Sequence, residues 1–168
     1  MTVADLKEQF ESVAKQLKKN AWFKSEKWIA SAHPFPSGKP DGVTFHLFKK
    51  NWFNEDGRGI HVESYLDLSA PKRKKTYVTL HTLHHAKIPG TDLKRIEFSK
   101  PFTDRALPLV KKWAGYKLRA GKYGQQPFTY FLDGNSPAFR DELAAEVSRI
   151  CRELGPEVDR VLAQLKSR

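Results

Sequence analysis

Cysteine is scarce in this 168-residue chain, in which Cys151 is the only one. A single cysteine excludes an intrachain disulfide and the paired Cys-x-x-Cys spacing of many zinc and redox sites. Such usage is typical of a reducing compartment, so we expect a cytoplasmic location. Because Cys151 lies beside Ile150 and Leu154 on the apolar side of a predicted helix, we interpret it as a buried structural thiol.

Long apolar runs are also absent. The longest fall far below the roughly 18 to 20 residues that a membrane helix needs. Residues 1–11 open an amphipathic helix with three acidic side chains and lack the apolar segment of a signal peptide. We therefore expect no membrane partner.

The common fingerprints of cofactor binding and nucleophilic catalysis are missing. There is no Gly-x-Ser-x-Gly elbow and no Rossmann glycine pattern. The run from Gly115 to Tyr123 has five residues between its glycines, where a phosphate-binding P-loop has four, and a tyrosine where that loop has serine or threonine. No cofactor is predicted from these motifs.

The composition favours one folded domain spanning residues 1–168. Apolar residues make up 39% of the chain and charged residues 29%, which suits a globular domain of this length. Alternating runs predict strands at 43–48, 59–67, 75–83, 93–98 and 127–132, joined where consecutive as an antiparallel meander. A turn-rich stretch at 33–42 reads as a loop.

Helical spacing predicts three further elements. The first helix begins at Val3, with Thr2 and Asp5 as a capping box, and a second covers 102–113. A long helix follows Ser136 and is interrupted at 155–156, where glycine precedes proline. The predicted fold is therefore α+β, an antiparallel sheet of four to five strands packed by the N-terminal and C-terminal helices.

Positive charge is concentrated in one third of the chain. Residues 71–125 contain fourteen lysines or arginines and three acids, whereas the remaining residues carry sixteen of each sign. The formal net charge of +11 is therefore a local feature. A field of this kind attracts polyanions.

Aromatic residues are interleaved with the basic ones, as in sites where cations follow phosphates and rings stack on bases. The leading hypothesis is a non-enzymatic binding module for nucleic acid or another polyanion. Its predicted binding residues are Lys72, Arg73, Lys74, Lys75, Lys94, Arg95, Lys111, Lys112, Trp113, Tyr116, Lys117, Arg119, Lys122 and Tyr123. The alternative for this stretch is that its rings close the core and its lysines form a solvated surface.

Histidines mark one face of the predicted sheet. If the apolar residues of the strands face the helices, strict alternation puts three histidines, a carboxylate and two tyrosines on the opposite face. A solvated polar face is one interpretation. The other is an enzyme for an anionic substrate, with His61 and Glu63 as acid-base or metal-binding residues and His46 and His81 as further candidate ligands of zinc or iron.

One point limits this enzymatic alternative. Residues 81 and 84 of a strand lie on opposite faces, so we expect His84 and His85 to be exposed at the strand end. A third hypothesis is an interaction module whose acidic protein partner covers the basic half.

Overall fold

Helices and strands follow one another along the described part of a computed structural model, which covers residues 2–34, 41–69, 75–119 and 123–167. The helices are α1 (Val3–Lys18), α2 (Ala21–Ser25), α3 (Arg95–Val110) and α4 (Phe139–Lys166). The strands are β1 (Trp28–Pro34), β2 (Gly42–Lys49), β3 (His61–Asp67), β4 (Thr76–His81), β5 (Lys117–Leu118) and β6 (Phe128–Leu132), and a short 3-10 helix, Lys50–Trp52, follows β2. The α+β class is confirmed.

The sheet has six strands in the order β1-β2-β3-β4-β6-β5, and all neighbours are antiparallel. The meander from β2 to β4 is confirmed, and the strand count is slightly higher than predicted. The additional strands β1 and β5 lie at the two edges. The sequence predicted a loop at 33–42 because of its turn-forming residues, but β1 extends to Pro34. Proline is tolerated at the end of an edge strand, where its missing N–H does not remove a hydrogen bond between strands.

The helical layer covers one face of the sheet. α1 packs against β1, β2 and β3, and α4 packs against β3, β4 and β6 as well as against α1 and α3. Val43, Phe45 and Leu47 of β2 are completely buried under these helices, and Phe45 stacks on Phe10 of α1 with ring centroids 5.5 Å apart. The predicted apolar face of the sheet therefore points towards the helices.

The capping box predicted at the start of α1 is confirmed. The Thr2 hydroxyl accepts a hydrogen bond from the Asp5 N–H at 3.2 Å, and the Asp5 carboxylate accepts one from the Thr2 N–H at 2.5 Å. Cys151 is fully buried, as predicted, and burial raises the pKa of its thiol. None of the described helices combines the length and the apolar character needed to cross a membrane.

The strand predicted at 93–98 is wrong, because α3 begins at Arg95. The Lys94 N–H donates to the Glu97 carboxylate at 2.8 Å, which satisfies a donor that the first turn leaves without an intrahelical partner. Phe98 and Phe102 then stack one turn apart on the buried side of the helix. Spacing of four residues, and not alternation, is the relevant period here.

The predicted interruption of the last helix is also wrong, since α4 continues through Gly155 and Pro156. The indole of Trp28 lies against the helix at Gly155, where an added Cβ would be 3.0 Å from the ring. The glycine therefore provides space for a large side chain of β1. Tertiary packing overrides the local helix-breaking tendency of the pair.

A lysine at the end of β2 ties the sheet to α4. The Lys49 ammonium lies 3.0 Å from a carboxylate oxygen of Glu26 and 2.8 Å from one of Asp159, and 4.8 Å from the centre of the Trp28 ring. Burial acts to lower the pKa of Lys49, but hydrogen bonds to Asp159 and Glu26 outweigh it and raise the pKa. Asp159 also accepts a hydrogen bond from the buried Trp52 indole at 2.8 Å.

Replacing this lysine tests the anchor. We expect Lys49→Met to lower the free energy of unfolding by about 1 to 3 kcal/mol, because it leaves two partly buried carboxylates without their shared cation. Denaturant titration measures the loss. The neighbouring Lys50→Met is the control, since Lys50 is exposed, and it is expected to change stability by less than about 0.5 kcal/mol. Equal effects of the two substitutions would contradict the assignment.

Candidate functional site

The strand register brings the four predicted metal or catalytic candidates together on the face opposite the helices. His46 of β2 pairs with Glu63 of β3, and His61 of β3 pairs with His81 of β4. All four are buried, although the described helices that pack on the sheet lie on its other face. The face is therefore not the solvated surface that one interpretation of the sequence expected.

Histidine rings form a continuous row across this face. Five of the six histidines of the chain take part, with successive ring centroids 3.9 to 5.0 Å apart. In order they are His33, His46, His61, His81 and His84. The row defines the candidate site, and Glu63 lies at its centre.

The Glu63 carboxylate contacts three of these rings. Its Oε2 lies 3.3 Å from Nε2 of His46 and 3.4 Å from Nε2 of His61, and its Oε1 lies 3.2 Å from Nε2 of His81. The Tyr77 hydroxyl donates a hydrogen bond to Oε1 at 2.7 Å. Burial acts to raise the pKa of Glu63, but its contacts with the three histidines outweigh burial and hold the pKa well below its usual range.

His61 lies between a backbone carbonyl and this carboxylate. Its Nδ1 lies 2.9 Å from the Gly59 carbonyl oxygen, which can only accept, so Nδ1 carries a proton. Burial, together with His46 and His81, lowers the pKa of His61 against the opposing effect of Glu63. Its Nε2 faces Oε2 of Glu63 at 3.4 Å.

His46 adds a second nitrogen without a clear partner. Its side chain is about 5% exposed, and within the described segments its Nε2 makes no hydrogen bond of acceptable geometry, in spite of the 3.3 Å contact with Glu63. Its Nδ1 lies 3.3 Å from Nδ2 of Asn54. The amide oxygen of Asn54 is also buried without a hydrogen-bond partner among the residues described.

His84 belongs to the site, and its predicted exposure is wrong. β4 ends at His81, so strand alternation does not extend to His84. The chain turns back, and Nε2 of His84 lies 2.9 Å from Nδ1 of His81. His84 is half-buried, and burial and then His81 lower its pKa to about 4. His85 is partly exposed and pairs with Asp56 at 3.4 Å.

The spacing of these donor atoms suits a metal ion. Tetrahedral ligands at zinc distances of about 2.0 to 2.1 Å are separated from one another by about 3.3 to 3.4 Å. The contacts of Glu63 with His46 and His61 have these lengths. His46, His61 and Glu63 can offer ligand atoms that all lie within 4.8 Å of one another.

A second triad, His61 with His81 and His84, satisfies the same distance limit. Since the Gly59 carbonyl occupies Nδ1 of His61, only Nε2 is left to ligate, and one nitrogen binds one ion. The two triads are therefore alternatives for a single ion. The first contains a carboxylate, which would offset part of the charge of a divalent cation.

The site opens into a cavity of about 620 Å³. His46 and Glu63 contribute to its wall, with Phe48, Arg58 and His84 at other positions around it. A volume of this size falls in the range of small-molecule sites. His46 and Glu63 thus line the cavity, whereas His61 and His81 lie beneath its wall.

The predicted nucleic-acid residues are more dispersed. Lys72, Arg73, Lys74 and Lys122 lie outside the described residues. Lys75 is exposed just before β4, Lys94 and Arg95 stand at the start of α3, and Lys111 and Lys112 follow its end. Since α3 has 16 residues, its two ends are about 24 Å apart. Lys117 and Arg119 are exposed at the β5 edge.

The predicted base-stacking rings have intramolecular partners. The Trp113 indole donates to Glu153 at 2.9 Å, and its ring packs against Tyr116 at 4.8 Å between centroids. The Tyr116 hydroxyl donates to Glu146 at 2.8 Å. The Tyr123 hydroxyl donates to Asp104 at 2.9 Å. Trp113 and Tyr116 pack against the core, as in the alternative in which the rings of this stretch close the core. Nucleic-acid binding stays a prediction.

Besides His33 and His84, three contributors to the site were not anticipated. Asn54 and Gly59 come from the connection between β2 and β3, which the sequence presents only as a turn, and Gln126 contacts His81 from a distant segment. Alternation did place Tyr77 on the correct face. No local pattern could reveal Asn54, because its partner is determined by how the connection folds back over β2.

Comparison with known proteins adds no assignment: no family model, no curated protein and no solved structure matches this chain. The functional argument therefore depends on the geometry.

Glu63→Gln tests whether the histidines have protons to give to the carboxylate. The depressed pKa of Glu63 means that its ionised form is stabilised in the folded protein, so we expect the metal-free variant to be less stable by about 1 to 3 kcal/mol. Chemical denaturation in the presence of a chelator provides the measurement.

Glu146→Gln is the control, because Glu146 is a buried carboxylate that accepts from Tyr116 and lies 3.5 Å from Arg149. The Glu146→Gln variant should have a lower free energy of unfolding, since the substitution removes charge-assisted contacts. An unchanged or higher stability of Glu63→Gln would instead show that the histidines give the carboxylate no proton.

Proposed function

We propose that this protein is a metal-dependent enzyme that binds one divalent transition-metal ion through His46, His61 and Glu63. The observation that carries the proposal is the meeting of three buried ligand atoms beside a cavity. Nε2 of His61 points at the carboxylate, and Nε2 of His46 beside it has no hydrogen-bond partner in the described part of the chain. A cation between them would be attracted to all three atoms.

The outer contacts of the histidines support the same assignment. Histidines that ligate metals almost always donate their other ring N–H to a carbonyl, a carboxylate or water, which orients the ring. His61 makes such a contact with Gly59 at 2.9 Å, and His46 has an amide side chain at the corresponding nitrogen. Both rings are thus held with Nε2 towards Glu63.

The donor set indicates the kind of metal. Two imidazoles and one carboxylate occur in catalytic zinc sites and in the facial triads of non-haem iron(II) enzymes. Hard cations such as Mg²⁺ prefer oxygen ligands, which does not suit a site with this many imidazoles. We therefore propose zinc or iron(II).

The adjoining cavity favours catalysis over a structural role. Structural zinc sites are closed by four protein ligands, whereas catalytic sites keep a position open to water or substrate. His46 and Glu63 contribute to the wall of the cavity, so a substrate could reach the ion. The ion would polarise a substrate oxygen or activate a bound water. Arg58, Glu55 and Asp56 on the cavity wall would contact the polar groups of a substrate.

Metal titration tests the proposal. We expect the chelator-treated protein to take up one equivalent of Co²⁺ or Zn²⁺, measured by cobalt absorption and by calorimetry. At 100 times the dissociation constant, binding should raise the free energy of unfolding by about 2.7 kcal/mol.

His61→Ala and Glu63→Ala should each weaken metal binding by at least about 100-fold, more than is typical for loss of an outer-shell partner. His85→Ala is the control, since His85 pairs with Asp56 on the protein surface. If the wild type took up no Co²⁺, Zn²⁺ or Fe²⁺ at micromolar concentration, or if all three variants behaved alike, the proposal would be wrong.

A second candidate is polyanion binding by the basic half. Lys111, Lys112 and Lys117 are exposed, and no ion pair involves them within the ranges that the structure describes. Such uncompensated cations favour an external anionic partner, either a nucleic acid or an acidic protein. This role would use a surface distinct from the histidine site, so the two candidates are compatible.

Fluorescence anisotropy with short single-stranded and double-stranded DNA and RNA tests this second role. Phosphate contacts predict that affinity falls about 10³-fold or more between about 50 and 200 mM salt. Joint neutralisation of Lys111, Lys112, Lys117 and Arg119 should reduce binding. No binding at the lower salt would exclude a nucleic-acid partner and leave an acidic protein.

A further inference from the structure

The connection between β2 and β3, residues 50–60, supplies the outer contacts of two proposed ligands. Its Asn54 side chain lies against Nδ1 of His46, and its Gly59 carbonyl accepts from Nδ1 of His61. These two histidines stand on adjacent strands with ring centroids 3.9 Å apart. One short segment thus contacts both rings on the side away from Glu63.

Internal contacts hold this segment in shape without help from the histidines. Phe53 adopts a left-handed conformation with φ of 59°, and the Ile60 N–H donates to the Trp52 carbonyl at 2.9 Å. Gly59 is packed so closely that an added Cβ would lie 2.1 Å from the Phe53 carbonyl oxygen. The completely buried Trp52 anchors the segment to Asp159 of α4. Asn54 is therefore presented from a rigid frame.

The Asn54 amide has two orientations of similar shape, and neither satisfies it fully. With Nδ2 towards His46, the amide donates to Nδ1 and its Oδ1 is buried without a partner among the described residues. With the amide turned over, Oδ1 would accept a proton from Nδ1 instead. The tautomer of His46 decides between them, because a donor must meet an acceptor at this 3.3 Å contact.

We propose that Asn54 is a positioning residue for the metal ion and that its amide turns over when the ion binds. In the metal-free protein, Nδ2 donates to Nδ1 of His46, whose proton is on Nε2. When Nε2 ligates the ion, the proton is on Nδ1, and Oδ1 of Asn54 accepts it. This inference rests on the proposed function, and it adds a residue that does not touch the metal.

Two substitutions separate this role from a purely structural one. Asn54→Leu has a similar shape and no acceptor, and we expect it to weaken Zn²⁺ and Co²⁺ binding by about 10-fold to 100-fold, as for other outer-shell partners. Asn54→Asp always offers an acceptor, and we expect it to bind these ions within about threefold of the wild type or more tightly. Asn51→Leu is the control, because Asn51 lies in the same segment and contacts Asp159.

The tautomer itself is observable by nitrogen-15 NMR of the His46 ring, with and without Zn²⁺. We expect the proton on Nε2 in the metal-free protein and on Nδ1 in the zinc complex. Equal binding by the wild type and Asn54→Leu, equal weakening in Asn54→Leu and Asn54→Asp, or an unchanged tautomer would each overturn the proposal. Failure of the wild type to bind metal would overturn the proposed function as well, so the two failures are distinguishable.

Discussion

The buried carboxylate of Glu63 is the constraint on which the arrangement of the second sheet face depends. An ionised carboxylate away from water requires donors or a cation, since its desolvation costs several kcal/mol. Tyr77 supplies one donor at 2.7 Å. The nearest histidine nitrogens lie 3.2 to 3.4 Å away, and Nε2 of His46 makes no hydrogen bond of acceptable geometry among the described residues. The site is thus organised around a charge that the protein compensates only in part.

The two faces of the sheet are buried by different means. The apolar sides of the helices cover one face. On the other face, the segment that connects β2 and β3 folds over His46. That segment is linked to the helical layer through Trp52 and Asp159, and Asp159 also pairs with Lys49 at the end of β2. A site of several side chains needs such rigid support, because small displacements spoil ligand geometry.

Alternation along β2, β3 and β4 was sufficient to assign His46, His61, Glu63 and His81 to one face, because side chains of a strand point to opposite sides with a period of two. The same rule failed for His84, which lies beyond the end of β4. The helix from Arg95 was missed in its first turns, where a short apolar run fits either period. Local patterns therefore succeeded within regular strands and failed at their ends.

The sequence by itself determined the α+β class, the apolar face of the sheet, the concentration of basic charge and the placement of His46, His61 and His81 on one face. These follow from periodicity and composition, which are local properties. Only the tertiary structure decided the register that brings the rings around Glu63, the contacts of Asn54 and Gly59, and the packing of Trp113 and Tyr116 against acidic residues of α4. Such contacts join residues distant along the chain, and their geometry depends on how the whole core packs.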